Sequence, residues 1–174
     1  MISTLSRIID QLQNIGATPQ ELQTKISVSE VWHLWELTSA RYDALQETQF
    51  LEKLCEDGDF KIVIASGINT LKEQVERKEK IMVKYGIPLP ERPPSNTSFF
   101  EKSHEINDRY IYRQIFRGIQ GFLHIHIGSV SQATDPNMRK LFIDLLKEEV
   151  NIFDSFAEYG KLKNWVECPP SLRS

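Results

Sequence analysis

The strongest constraint on this chain is the uneven spacing of its breaks. Four long stretches carry apolar residues at helical spacing, separated by two tight breaks and one long one. The first opens on Ser27-Val28-Ser29-Glu30, an S-x-x-E capping box, and is expected to run to about Glu56 and stop at Asp57-Gly58. Val31, Leu34, Trp35, Tyr42 and Leu45 recur along it. A second stripe of Leu37, Ala44, Leu51 and Cys55 implies neighbours on more than one side. Asp59 reads as the cap of the second stretch, Phe60 to Tyr85, whose apolar face is Ile64, Ile68, Leu71, Val75 and Met82. Gly86 is its stop, and Pro88 blocks continuation. The third stretch begins near Asn107 or Asp108 and reaches about Ala133, with Tyr112, Ile115, Phe116, Ile119, Leu123, His126 and Val130 on one face. Asp135-Pro136 opens the fourth with a cap residue and a first-turn proline. Its face is Met138, Leu141, Phe142, Leu145, Ile152, Phe153 and Phe156, and Gly160 closes it. Trp165, followed by Pro169-Pro170, reads as a tail pinned back on the body.

No alternating strand pattern competes, so the fold class is all-α: a four-helix bundle. The tight breaks make the first pair and the second pair antiparallel hairpins. The long break starts with Ile87-Pro88-Leu89-Pro90-Glu91-Arg92-Pro93-Pro94, which is stiff and extended. With the polar stretch after it, about 20 residues can traverse the whole bundle at some 3.3 Å per residue. Two hairpins joined by one long crossover is the ferritin-like arrangement. Residues 1–26 form a short helical appendage and 27–174 the single bundle domain. In the appendage, residues 3–15 are helical, Gly16 ends them, and Thr18-Pro19-Gln20-Glu21 starts a short capped turn. The expected core includes Trp35, Tyr42, Leu71, Ile119, Phe142 and Phe153.

Composition narrows the function classes. The 174 residues carry a net charge of −3, which argues against a general nucleic-acid binder. No apolar run is long enough to span a membrane and no signal peptide is visible, so an intracellular protein is expected, cytoplasmic or spore-associated. Cys55 and Cys168 form no CxxC pair, and both are expected as reduced thiols. Asn96-Thr97-Ser98 matches the glycosylation sequon by chance. Phosphate-binding, dinucleotide-binding and hydrolase motifs are missing.

Several segments resemble a ferritin-like family of uncharacterised proteins from spore-forming bacteria, allied to the spore-coat protein CotF. They are Ser29-Glu30-Val31-Trp32-His33-Leu34-Trp35, Asp59-Phe60-Lys61, Tyr85-Gly86-Ile87-Pro88-Leu89-Pro90-Glu91-Arg92-Pro93-Pro94, Asp108-Arg109-Tyr110-Ile111-Tyr112-Arg113 and Tyr159-Gly160-Lys161-Leu162-Lys163. The likeness runs from about residue 27 to the end. It implies a four-helix bundle with a spore-coat connection.

Ferritin-like bundles often hold two metals with a Glu on two helices and Glu-x-x-His on the other two. At 100° per residue, Glu149 and His126 fall mid-face on their helices, Gln74 and Lys78 lie on or near the inward face, and Thr38, Tyr42 and Gln49 are the central polar positions of the first helix. No helix interior offers Glu-x-x-His on its apolar face. Glu30/His33 and Glu101/His104 have that spacing, at positions read as capping and solvent-facing charge. The expected outcome is a hydrogen-bonded polar cluster with Glu149 paired to His126 or Lys78, ahead of a reduced metal site or an oxidase centre. No catalytic, cofactor or metal role is therefore assigned to any residue. His124 lies opposite His126 and is expected in solvent, as are Arg109, Arg113 and Arg117, whose alternative reading is a docking strip for an acidic partner. Gly118, Gly121 and Gly128 imply close approach of another helix, in this chain or a partner subunit. The functional expectation is a structural or interaction protein related to the spore coat, with a protein partner or homo-oligomer, and not an enzyme. The alternatives are a metal-binding relative or oxidase with a reduced ligand set, and a small-molecule binder using a pocket near Glu149 and His126.

Overall fold

Each helix begins where a side chain can accept the free N–H groups of its first turn. The computed structural model describes residues 16–94 and 106–166. Among them α1 is Pro19–Gln23, α2 Val28–Leu54, α3 Gly58–Lys84, α4 Asp108–Gln132 and α5 Pro136–Leu162. Thr18 and Ser27 build complete capping boxes with Glu21 and Glu30. Asn107 caps α4, and Asp135 caps α5 ahead of Pro136. The cap of α3 is Asp57, which accepts from the Phe60 N–H at 2.9 Å, rather than Asp59. Asp57 stands three residues before that N–H, the separation a cap needs, so the helix starts two residues earlier than Asp59 implies.

The stops differ more. Gly86, at φ 62°, ends α3 in a Schellman turn, with Ile87 N–H on Met82 O and Gly86 N–H on Val83 O. The same motif ends α5, but Asn164 (φ 57°) holds the left-handed position, with Trp165 N–H on Gly160 O. Gly160 is therefore not the stop. It is buried, and a Cβ there would stand 2.0 Å from the Tyr112 hydroxyl. Its role is to let Tyr112 of α4 lie against α5, where the Tyr112 hydroxyl donates to Phe156 O.

The ends of the helices fix the topology. Asp108, opening α4, accepts from the Glu56 and Asp57 N–H groups in the α2–α3 turn. Lys163, closing α5, reaches Asp57 at 2.7 Å. At the other end, Glu30 of α2 binds the α4–α5 turn. Hence α3 and α4 start at the same end and run parallel, each antiparallel to its hairpin partner, as the ferritin-like arrangement requires. The start of the crossover, residues 87–94, folds back along α2 and α3. Arg92 pairs with Glu79 and stands over the Tyr42 ring, and Gln46 donates to Pro94 O. Leu22 of α1 is buried in the core, and Gln23 donates to Tyr85 O.

Two hydrophobic clusters fill the bundle. Leu34, Leu37, Met82, Met138, Phe142 and Leu145 occupy the end near the α4–α5 turn. Phe60, Tyr112, Phe156 and their aromatic neighbours occupy the other. Trp165 packs against Phe60 with ring centroids 5.0 Å apart, so the tail is pinned as expected up to residue 166. Of the expected core, Tyr42 and Phe142 are buried, and Leu71, Ile119 and Phe153 are half-buried. Trp35 is exposed and stacked on exposed Trp32. Helix α2 faces inward with Leu34, Leu37, Arg41 and Leu51, roughly a quarter-turn away from the face read from Val31, Trp35 and Leu45. The helix at 3–15, the sequon, Glu101, His104, Cys168 and Pro169-Pro170 lie outside the described residues.

Candidate functional site

The quarter-turn of α2 carries Arg41, its middle residue, to the bundle axis opposite Glu149, the middle residue of α5. Arg41 Nη2 donates to Glu149 Oε2 at 2.8 Å, and both side chains are almost wholly buried. The guanidinium also lies 3.8 Å above the centre of the Phe122 ring of α4, a cation–π contact in a dry setting. His126 Nε2 stands 3.8 Å from the same Glu149 oxygen, an ion-pair distance but too long for a hydrogen bond. Lys78 of α3 is fully buried, and its Nζ has no hydrogen-bond partner among the described residues. Beside this group, Arg77 grips Glu148 through two bonds of 2.8 and 2.7 Å, and Gln74 donates to the same carboxylate.

The electrostatics follow from burial and neighbours. Burial works against the Glu149 carboxylate, but His126 and the Arg41 guanidinium outweigh it and hold the group below the usual carboxylate range. Burial lowers His126, and the nearby Glu149 only partly opposes this. Burial, reinforced by Arg41 and Arg77, drives the Lys78 amine well below the ordinary lysine range. The centre is thus an ion pair flanked by two bases that burial pushes toward neutrality.

The sequence placed Glu149, His126, Gln74, Lys78 and Thr38 inside, and all five are buried. The partner of Glu149 is Arg41, which the sequence reading did not single out. Tyr42 faces the crossover, its hydroxyl bonded to Glu79, and Gln49 is half-buried away from the cluster. Glu30 and His33 are not solvent-facing. Glu30 is fully buried and accepts from Ser27 N–H, Thr134 N–H, the Thr134 hydroxyl and Asp135 N–H, at 2.6–3.1 Å. His33 packs edge-on to Phe142. His124 is exposed, with Arg109 and Arg117, while Arg113 is half-buried. Within this chain the glycines of α4 do not serve a close helix contact: a Cβ at Gly118 or Gly121 meets nothing within 4 Å, and at Gly128 only His33 at 3.9 Å.

This donor set does not fit a ferritin-like metal pair. Such a pair takes four carboxylates and two imidazoles. At this centre one carboxylate and one imidazole point inward, and two basic side chains stand beside them. Among the described residues no group of three or more His, Cys, Asp or Glu is placed to hold a metal ion.

A model for a family described as "Protein of unknown function (DUF3231)" matches residues 16–174. The chain belongs to the DUF3231 family. Among solved structures, this DUF3231 protein is similar to a putative spore coat protein from Bacillus halodurans, at 19% identity and a TM-score of 0.77, over 90% of this chain and 100% of that one. It is also similar to a conserved hypothetical protein from Mycobacterium tuberculosis, at 8% identity and TM-score 0.64, covering 76% of this chain and 98% of that one. A third likeness is to a two-domain protein from Anabaena variabilis with DJ-1/ThiJ/PfpI-like and ferritin-like domains, at 17% identity and TM-score 0.61. It covers 91% of this chain and 41% of that one. At these identities the likenesses show the fold, which is ferritin-like and all-helical. No curated protein matches the sequence. Among the described residues no helix is long and apolar enough to cross a membrane.

Proposed function

We propose that this DUF3231 protein is a structural or interaction component associated with the bacterial spore, and not an enzyme. The observation that carries the reading is the Arg41–Glu149 pair with Lys78 beside it. Basic side chains occupy the axis where ferritin-like oxidases place metal ligands, and a fixed ion pair there serves to join α2 to α5. The likeness to a putative spore coat protein supports the cellular setting. The clamp of Glu30 across the α4–α5 turn supports a body built for rigidity. The test is a fluorescent fusion produced during sporulation in a spore-forming host, followed by extraction of purified spores. The reading predicts signal gathered around the developing spore and protein in the extracted coat fraction. Uniform signal in the mother cell with none in spore extracts would overturn it.

A further inference from the structure

The first turns of α2 carry apolar side chains that the bundle does not cover. Val28, Trp32 and Trp35 recur at spacings of four and three residues, so they share one outward face, and they are 87%, 57% and 36% exposed. Trp32 and Trp35 stack on each other, with ring centroids 6.0 Å apart. Two more exposed apolar side chains flank them. Val83 lies in the last turn of α3, and Leu89 lies on the crossover where it passes from Ile87, packed in the cluster that holds Leu34, to Arg92 over Tyr42. At about 150–250 Å² per large side chain, the five leave on the order of 400–500 Å² of apolar surface in water. A patch of that size with a polar rim marks an interaction surface. With its rim it approaches the roughly 800 Å² that each partner of a standard interface covers.

The rim is of opposite sign on its two sides. Toward α4 it carries Glu36, which lies 3.6 Å from His33, the residue nearest Gly128 of α4, and then exposed Asp43. Toward α3 it carries exposed Lys80 and Lys84. The α2–α3 hairpin turns at residues 55–57. Lys84 therefore stands near the level of Ser29, roughly 10 Å along α2 from Glu36. Trp32 and Trp35 lie midway between those two levels. A two-fold axis through the tryptophan pair sets Lys84 of each copy opposite Glu36 of the other and lays one stacked pair on its twin. That is the self-complementary arrangement an isologous contact needs. Stacking also holds the indoles in place beforehand, so less side-chain freedom is lost on docking, and tryptophan is among the residue types that most often anchor interfaces. We propose that this face binds a second copy of the same chain, making a two-fold dimer centred on Trp32 and Trp35. The inference goes beyond the spore-associated role and does not depend on it.

Sedimentation equilibrium of the full chain at low salt, from about 1 to 300 µM, tests it, since interfaces of this size give micromolar or tighter affinity. The mass is expected to rise from that of one chain toward that of two. Trp32→Ala should weaken association by about tenfold or more, whereas Leu162→Ala, also exposed but at the far end of the bundle, should leave it within about twofold. Glu36→Lys and Lys84→Glu should each weaken self-association by about threefold or more. An equimolar mixture of the two should regain it, because only the mixed pair restores both opposite-charge contacts. The mass of one chain at every concentration would overturn the dimer, and a reddened tryptophan emission on Leu12→Asp in that monomer would assign the patch to residues 1–15 of the same chain instead. A dimer undiminished by Trp32→Ala would overturn this face as its contact. A mixture no tighter than the two separate variants would overturn the two-fold pairing.

Discussion

Replacing Lys78 with methionine should stabilise the protein, and by an amount that shrinks as pH rises. Lys78 is fully buried on α3 between Arg41 and Arg77, with no hydrogen-bond partner for its Nζ among the described residues. In the unfolded chain the amine has its ordinary pKa near 10.5, and in the folded chain burial and the two guanidinium groups hold it well below that value. Between the lowered folded value and the ordinary one, the unfolded state carries a proton that the folded state lacks. Folding stability therefore rises with pH across that window, by up to about 1.4 kcal/mol per pH unit for one proton. Below the window the folded state also accepts the proton, and the full destabilisation is present. Methionine has similar length and no charge, and exchanging a buried ionisable group for a well-packed apolar one typically gains roughly 1–3 kcal/mol. Urea unfolding of the wild type and Lys78→Met, at half-unit steps from about pH 6.5 to 8.5, measures this difference. The range stays clear of the Cys55 thiol, which burial and then Asp108 push up to about 12, and whose effect runs the other way at alkaline pH. The variant should be more stable at neutral pH, with an advantage that declines toward alkaline pH. An advantage that is constant or grows with pH would refute the reasoning. So would a variant weaker than wild type by more than about 1 kcal/mol, since that is the signature of a favourably paired ammonium.

Other substitutions probe other parts of the fold. Glu30→Ala removes the clamp on the α4–α5 turn and leaves the Thr134 and Asp135 N–H groups unpaired, so it should cost about 2–4 kcal/mol at pH 7. Burial opposes the Glu30 charge, but its hydrogen bonds hold the folded pKa below normal. The wild type's advantage is therefore full above about pH 4.3 and should fade as pH falls through the lowered folded value. Gly160→Ala forces a Cβ into the Tyr112 ring and should destabilise by about 1–3 kcal/mol, read from the denaturation midpoint, whereas an unchanged midpoint would mean that Tyr112 can swing away. Phe142→Ala should lose about 3–5 kcal/mol, and Trp35→Ala, on the exposed stacked pair, less than about 1 kcal/mol. Equal losses from the two would place the inward face of α2 where Trp35 points.

The contrast between Phe142 and Trp35 shows what the chain discloses and what it hides. On α5 the apolar stripe is clean, so Phe142, Leu145 and Glu149 are legible as one inward face. On α2 the inward face is interrupted by Glu30, Thr38 and Arg41: Glu30 is held by the α4–α5 turn, Arg41 by Glu149 of α5, and Thr38 donates to Leu34 O of its own helix. A polar side chain reads as outward until its partner is known, and the partners of Glu30 and Arg41 are more than 100 residues away. The more apolar flank of α2, with Tyr42 and Leu45, is covered by the crossover at Arg92, Pro93 and Pro94, not by a helix. That one rotation hid Arg41, exposed Trp35 and buried Glu30 and His33. Caps and crossover direction were legible because they rest on local chemistry: hydroxyl and carboxylate caps, Gly86, and a proline run too long and stiff for a hairpin turn. The Asp57 cap was missed by two residues because Asp57 and Asp59 are chemically equivalent as caps, and Gly58 reads as a stop until it is seen inside α3.

Metal loading tests the ion-paired centre most directly. The purified protein would be incubated with iron(II), manganese(II) or zinc, desalted, and followed by elemental analysis and thermal unfolding. With Arg41 bonded to Glu149 and Lys78 alongside, the account predicts metal well below stoichiometric levels and an unchanged unfolding temperature. Stoichiometric metal that raises the unfolding temperature, with both effects lost in Glu149→Gln and in His126→Ala, would contradict it.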